Sequence, residues 1–138
     1  MKTIKVIALC LFVLALLYAL VIFENKVYVA AVRPVPNTTL AAFFERQPNP
    51  LKVFKFTYQR KAYIYVVGNY ATSGWMVASG PPAYIFDDSG KLVDWRPDIA
   101  EGPNFAQYWG TNRTNLFISP DNSTVISVEE AKRLVMAH

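Results

Sequence analysis

Cysteine and histidine are almost absent from this sequence. It has one of each: Cys10 lies in an apolar run near the N-terminus and His138 is the last residue. A disulfide, a thiol redox pair or a cysteine-ligated metal needs more than one such ligand. Ordinary Ser–His–Asp triads and histidine-ligated metals need a histidine that the rest of the chain does not supply. We therefore expect neither a metal nor another cofactor.

The sequence also lacks a basic run and the common nucleotide-binding motifs. Lys2, Lys5 and Lys26 account for three of the 14 Lys and Arg residues, and Glu24 for one of the 10 Asp and Glu residues. The chain from Arg33 onward therefore has a net charge of only +2. A nucleic-acid binder is expected to carry a much stronger basic patch. No phosphate loop, dinucleotide fingerprint or G-x-S-x-G elbow is present. Nucleic acid is not an expected partner.

What the chain does have is one long apolar run, at residues 6–23, in which all 18 residues are uncharged. As a helix this run would be ~27 Å long, close to the thickness of a bilayer's hydrocarbon core. Lys2 and Lys5 precede it, whereas Glu24 and Lys26 follow it and cancel. The positive-inside rule then places the N-terminus in the cytoplasm. The pattern predicts a single-pass signal-anchor in the cytoplasmic (inner) membrane, with an extracytoplasmic domain after it.

A cleaved signal peptide is the alternative interpretation of the same run. Signal peptides usually have a shorter apolar region, followed closely by small residues at the cleavage site. Here Val29-Ala30-Ala31 would suit a signal peptidase, but it ends eight residues beyond the run and follows a charged pair. The retained anchor is therefore preferred. If cleavage did occur there, the domain would be secreted.

Proline marks the boundary between the anchor and the domain. Residues 27–32 are apolar and either lengthen the helix or pack on the domain as a stem. Arg33-Pro34-Val35-Pro36 then ends any helix, because each proline fixes φ and lacks an N–H group. We therefore divide the chain into an anchor and stem at 1–32, a linker at 33–36 and an extracytoplasmic domain at 37–138.

The domain itself has the pattern of an α+β fold. A short helix is predicted at 40–46, because apolar residues recur there at helical spacing after the candidate N-cap residues Asn37, Thr38 and Thr39. A second helix follows Ser127, which forms a capping box with Glu130. Alternating apolar residues between the two helices predict an antiparallel sheet of four or five strands. The expected strands are 51–58 and 62–67 as one hairpin, 83–86 and 91–95 as another, a short strand at 75–78, and edge strands at 116–118 and 124–126. A helical turn is expected at 104–110.

Turn residues explain most of the acidic group in the centre of the chain. Asp87, Asp88 and Gly90 have the composition of a tight turn, in which aspartate side chains bind backbone N–H groups. Gly80, Pro81 and Pro82 predict a rigid loop before the same hairpin. The spacing does not match a calcium loop. One alternative is a hydrolase of an envelope glycan that uses two carboxylates from the set Asp87, Asp94, Asp98 and Glu101.

Trp95, Arg96, Asp98 and Glu101 form the preferred candidate binding site. A tryptophan at a strand end with charged neighbours is typical of protein interfaces and sugar sites. The competing interpretation is that Trp95 covers the core while Arg96 and Asp98 pair across the loop. We expect a non-enzymatic binding or accessory module with a protein or envelope-polymer partner. The glycan hydrolase and a subunit of a membrane complex remain alternatives.

Overall fold

The computed structural model describes residues 1–69, 72–73, 76–77, 81–97, 107–110, 115–118 and 121–136. Its fold is α+β, as the sequence predicts: a long N-terminal helix, a five-stranded antiparallel sheet and a C-terminal helix. In chain order the elements are α1 (Lys2–Val32), α2 (Leu40–Arg46), β1 (Lys52–Tyr58), β2 (Lys61–Val67), β3 (Thr72–Ser73), β4 (Met76–Val77), β5 (Ala83–Asp87), β6 (Leu92–Arg96), β7 (Gln107–Gly110), β8 (Asn115–Ile118), β9 (Ser123–Ile126) and α3 (Val128–Met136).

Helix α1 is continuous over 31 residues, about 46 Å at 1.5 Å per residue. Glu24 and Lys26 lie inside it and do not end it. The helix ends at Val32 because Arg33 is extended (φ −63°, ψ 126°), the conformation that the following proline imposes. Its most apolar stretch has a mean hydropathy of 3.1, and none of that stretch is buried. By length and composition, α1 is suited to be either a membrane anchor or a signal sequence.

The sheet has the strand order β6-β5-β2-β1-β9, and every pair of neighbours is antiparallel. A two-residue turn joins β1 to β2, with Tyr58 paired to Lys61. Both turn residues have positive φ, 50° at Gln59 and 64° at Arg60. Tight hairpins need this backbone, and glycine or asparagine usually provides it. The predicted hairpin is confirmed, although its turn is formed by glutamine and arginine instead of the residues that such turns favour.

One face of the sheet is covered by α2 and α3, and this is the main core. Thr39 caps α2, since its hydroxyl accepts a hydrogen bond from the Ala42 N–H at 3.2 Å. Ser127 does the same for α3, accepting from the Glu130 N–H at 3.1 Å, as the capping pattern predicts. The buried residues of this core are Leu40, Phe43, Phe44, Val53, Ile64, Val66, Tyr84, Phe86, Ile126 and Ala131.

The opposite face of the sheet is aromatic and is also largely buried. Phe54 stacks on Tyr65 with ring centroids 5.7 Å apart, and Phe56 stacks on Tyr63 at 5.2 Å. Ile118 of β8 packs in this second cluster. Both faces of the sheet are therefore in contact with other parts of the chain, and many of the aromatic residues are core residues.

The structure corrects one local prediction and refines another. Gln107–Gly110 is strand β7, paired with β8, whereas the sequence analysis placed a helical turn over 104–110. Aromatic residues such as Tyr108 and Trp109 favour strands, and in the register of this pair they lie opposite Phe117 and Leu116. Near the predicted strand at 75–78 the structure has the two short strands β3 and β4, paired with each other.

Candidate functional site

The last turns of α1 are part of the domain, and the rest of the helix is not. Tyr28 is 6% exposed and Val32 is 4% exposed. Of the residues before Tyr28, Glu24 alone is partly buried, and the others are exposed. Residues 24, 28 and 32 lie on one face, because positions four apart in a helix are neighbours. We call Glu24, Tyr28 and Val32 the docked face of α1.

Two tyrosine hydroxyls hold the docked face in place. The Tyr84 hydroxyl donates a hydrogen bond to the Val32 carbonyl at 2.6 Å, and Tyr84 is fully buried. The Tyr28 hydroxyl donates to the Pro97 carbonyl. The Val32 carbonyl lies at the C-terminus of α1, where helix carbonyls lack partners within the helix. The end of α1 is therefore fixed by hydrogen bonds as well as by apolar packing.

These contacts define a helix-proximal end of the sheet. Pro97 follows β6, whose last residue Arg96 pairs with Ala83 at the start of β5. Val67, the last residue of β2, pairs with Ala83 on one side and accepts a hydrogen bond from the Leu51 N–H on the other. The strand ends marked by Leu51, Val67, Ala83 and Arg96 therefore lie together, next to the docked face. Strand β3, which follows β2, packs against α1.

The far end of the sheet is reached by the segment after α1. Thr39 forms an isolated antiparallel bridge with Lys91, and the Leu40 N–H donates to the Gly90 carbonyl at 2.8 Å. Helix α2 therefore begins at the opposite end of the sheet from the docked face. Asn37, in the connecting segment, has a positive φ of 58°. Residues 33–38 link the two ends along the domain.

The turn between β5 and β6 is built around Asp87 and Gly90. One oxygen of Asp87 accepts hydrogen bonds from the Ser89 N–H at 3.0 Å, the Ser89 hydroxyl at 2.6 Å and the Lys91 N–H at 2.9 Å. Gly90 has φ 82°, and a Cβ there would lie 2.5 Å from a Val135 methyl carbon. Asp88 is exposed in the same turn. In this turn the Asp87 carboxylate has the structural role that its sequence pattern suggests.

The loop before β5 contains the predicted rigid prolines. Pro81 and Pro82 are buried, and Pro82 lies beside Gly68, where an added Cβ would be 3.1 Å from the proline ring. The Gly68 N–H donates to the Pro82 carbonyl at 2.9 Å. Gly80 lies outside the described residues. The two prolines form part of the helix-proximal end.

Trp95 and Arg96 are placed on opposite faces of the sheet. Trp95 pairs with Tyr84 and packs against the main core under the helices. Arg96 pairs with Ala83 on the aromatic face, near Tyr65. Burial raises the pKa of Tyr65, and the positive charge of Arg96 opposes part of that rise. The two residues therefore do not form one continuous surface. Asp98 and Glu101 lie outside the described residues, so the four-residue site stays a prediction.

The remaining carboxylate, Asp94, is held by its own strand. Its side chain accepts a hydrogen bond from the Trp95 N–H at 2.8 Å.

Near the far end, a surface depression of about 310 Å³ is lined by Lys61, Ala62, Tyr63, Asp87, Asp88 and Val93. Burial, Asp87 and Asp88 all raise the pKa of Tyr63. Within the described part of the chain, no group of three His, Cys, Asp or Glu residues is placed to hold a metal ion.

Sequence reasoning did not single out the docked face. It allowed residues 27–32 to pack as a stem, but it treated Glu24 only as a charge that follows the apolar run. A signal was nevertheless present in the four-residue spacing of Glu24, Tyr28 and Val32. The tyrosine hydrogen bonds to this segment join residues that are far apart in the chain, with sequence separations of 52 and 69. Local patterns therefore could not predict them.

Comparison of the chain with protein-family models, curated proteins and solved structures gives no match. Function has therefore to be inferred from the residues and contacts of this chain.

Proposed function

We propose that the protein is a single-pass membrane protein whose helix α1 is a retained anchor, and whose domain is a non-enzymatic extracytoplasmic binding or accessory module. The observation that carries this proposal is the change of environment along α1. Its apolar N-terminal stretch is bare, and its last turns are built into the domain. One continuous helix thus joins a lipid-compatible surface to a folded core.

Exposure of the apolar stretch supports insertion in a bilayer. Large side chains such as Leu9, Phe12 and Phe23 are more than 60% exposed. Leaving such a surface in water is unfavourable by about 25 cal/mol per Å² of apolar area. A hydrocarbon core of ~30 Å would cover residues 6–23.

Docking of the helix end supports retention of the anchor. Val29, Ala30 and Ala31 lie within α1, between the buried residues Tyr28 and Val32. Cleavage after Ala31 would divide the docked face and remove the Tyr28–Pro97 hydrogen bond from the domain. An uncleaved chain keeps all of these contacts. The excess of lysine before α1, at Lys2 and Lys5, supports a cytoplasmic N-terminus.

Two carboxylates with backbone partners favour binding over hydrolysis. Asp87 accepts three hydrogen bonds within its turn, and Asp94 accepts one from its own strand. A retaining or inverting glycosidase needs two carboxyl groups facing a common cleft, one of them available as an acid. The proposed partner is a protein or an envelope polymer, and Trp95, Arg96, Asp98 and Glu101 remain the proposed contact residues.

Topology is the first experiment, because the binding proposal depends on it. A reporter active only outside the cytoplasm, fused after His138, should be active, and the mass of the mature chain should equal that of the uncleaved chain. A signal from a cytoplasmic reporter instead would overturn the orientation. A product that begins at Val32 would show that the anchor is removed.

The contact residues are best tested separately, since Trp95 and Arg96 lie on opposite faces. In pull-downs from solubilised membranes, Arg96→Ala should reduce capture of a partner at least tenfold, while Lys52→Ala, another partly buried cation at the helix-proximal end, should not. Capture equal to that of the unmodified chain would remove Arg96 from the site. Thermal unfolding of each variant shows whether the fold is retained.

A further inference from the structure

The domain begins to cover α1 immediately after the apolar run. Residues 1–23 are all exposed, and Glu24, the next residue, is partly buried. The Oε2 atom of Glu24 is shielded from solvent and has no hydrogen-bond partner among the described residues. No spacer therefore separates the apolar stretch from the part of the helix that the domain covers.

Distances along the helix place the domain at the bilayer surface. Tyr28 follows Phe23 by five residues, which is about 7.5 Å along the axis. The polar headgroup layer on each side of the hydrocarbon core is roughly 5–8 Å thick, from the total bilayer thickness less the core. If residues 6–23 span the core, the Tyr28–Pro97 contact lies at the outer edge of that layer.

The junction is rigid enough to hold the domain there. Helix α1 has no break between Phe23 and Val32, and Val32 is bonded to Tyr84 of the central sheet. The helix-proximal end cannot move away from the bilayer by rotation in a flexible linker, because residues 33–36 come after the docked face. Strand β3, which lies beyond the end of β2, packs against the same helix.

The helix-proximal end has a surface that suits a headgroup layer. Leu51 is 41% exposed at the start of β1, and Pro48 and Asn49 in the loop before it are exposed. Asn69, exposed in the next loop, donates to the Asn49 carbonyl at 2.6 Å and so joins the two loops.

We propose that the helix-proximal end of the domain, comprising residues 48–51, Asn69 and the paired strands β3 and β4, rests in the lipid headgroup layer of the bilayer that α1 spans. This proposal rests on the proposed function, since it requires α1 to be inserted. The partner surface is the headgroups themselves. The far end, around Asp88 and Lys91, then faces away from the membrane, whereas Arg96 lies at the end of the sheet next to the headgroups and would meet a partner at the bilayer surface.

A labelled full-length chain in vesicles tests the contact. Cys10→Ser removes the only thiol, and Leu51→Cys or Asp88→Cys then provides one labelling site at either end of the sheet. Each single-cysteine chain carries an environment-sensitive fluorophore and is reconstituted into phosphatidylcholine vesicles with spin-labelled headgroups. Fluorescence from position 51 should be reduced at least twofold by the spin label. Fluorescence from position 88 should be unchanged.

A helix insertion provides the control for a fluorophore that binds to the lipid by itself. Seven helix-forming polar residues placed between Phe23 and Glu24 add about 10 Å to α1 and nearly two full turns, so the docked face keeps its direction. Quenching at position 51 should then be lost. Quenching that persists after the insertion would show that α1 does not set the contact, and would overturn the proposal.

Flotation of the vesicles separates failure of the inference from failure of the proposed function. If the chain floats with the vesicles and resists carbonate extraction, but positions 51 and 88 are quenched equally, the headgroup contact is wrong and the anchor stands. If the chain does not float, both the anchor and the headgroup contact are wrong.

Discussion

Helix α1 contains two regions of similar composition in different surroundings. Tyr18 is 70% exposed and Tyr28 is 6% exposed, although both are tyrosines among aliphatic residues of one helix. Val21 and Val32 differ in the same way, at 43% and 4%. The difference shows that hydropathy identifies an apolar helix but not what covers it. The domain covers three positions at four-residue spacing and fixes them through two tyrosine hydroxyls.

The largest expected effect is the loss of stability when tyrosine is replaced by alanine in the docked region, compared with the same replacement in the exposed region. Tyr28→Ala removes a buried ring and its hydrogen bond, so it should lower the free energy of unfolding of the domain by about 3 kcal/mol. Tyr18→Ala should change it by less than about 0.5 kcal/mol. Thermal unfolding of both variants in the same detergent or vesicle provides the comparison. Equal effects would mean that Tyr28 is not part of the folded domain.

Alkaline pH should weaken the domain because it contains buried tyrosines. Burial raises the pKa of Tyr84 and of Tyr65 above the ordinary value of 10.0, and for Tyr84 a hydrogen bond with Gln47 opposes part of that rise. The folded state therefore holds these protons more tightly than the unfolded state. Their contribution to stability is complete below pH 10 and is lost as the pH rises from about 10 through the folded pKa.

The slope should be about 1.4 kcal/mol per pH unit for each such tyrosine. Unfolding by urea at about pH 9 and about pH 11 measures it, and Tyr65→Phe should reduce the loss because one titrating group is removed. A stability that is the same at both pH values would show that these hydroxyls are not buried in the folded state.

Removing a single hydroxyl should have a smaller effect than removing a ring. Tyr84→Phe leaves the Val32 carbonyl without its donor at a buried position, so stability should fall by about 1–2 kcal/mol. Tyr63→Phe, on a partly exposed side chain, is the matched control and should be close to neutral. Resistance of the 24–32 segment to proteolysis should fall in parallel for Tyr84→Phe alone. If resistance to proteolysis were unchanged in Tyr84→Phe, the Tyr84–Val32 hydrogen bond would not be needed to dock the helix end.

Glu24→Gln is expected to have the smallest effect and the opposite sign. A shielded carboxylate oxygen without a partner is unfavourable, and the neutral amide has nearly the same shape. The domain should gain up to about 1 kcal/mol, whereas Glu45→Gln on the exposed part of α2 should change little. The thermal midpoint in vesicles measures both. Destabilisation by Glu24→Gln would show that the carboxylate is held by a partner.

The local elements of this fold were largely predictable, because their signals lie within a few residues. The Ser127–Glu130 pattern predicts a helix start, and the alternation through Phe54, Phe56 and Tyr58 predicts one face of β1. The structure confirms both. The helical turn predicted at 104–110 was wrong, because Gln107–Gly110 pairs with the nearby segment Asn115–Ile118 in an antiparallel hairpin.

What the sequence did not predict depends on contacts between distant residues. The order of the strands, which places β9 beside β1, is set by pairings such as Val53 with Ile126. Placement of Trp95 and Arg96 on opposite faces, by contrast, follows from strand alternation and was predictable from their adjacent positions. Covering of both faces of the sheet could not be read from the alternation, since aromatic and aliphatic residues occur on both.

The connection between α1 and α2 also determines how mechanical tension enters the domain. The chain meets the sheet first at Val32, at one end, and next at Leu40, at the other, where its N–H is bonded to the Gly90 carbonyl. A pull on α1 therefore loads the docked face first and the β5–β6 turn second. The chain that follows Leu40 is pulled directly only after both attachments have failed. A helix joined to the domain in this way resists tension at two separate points before the segment beyond them is drawn out.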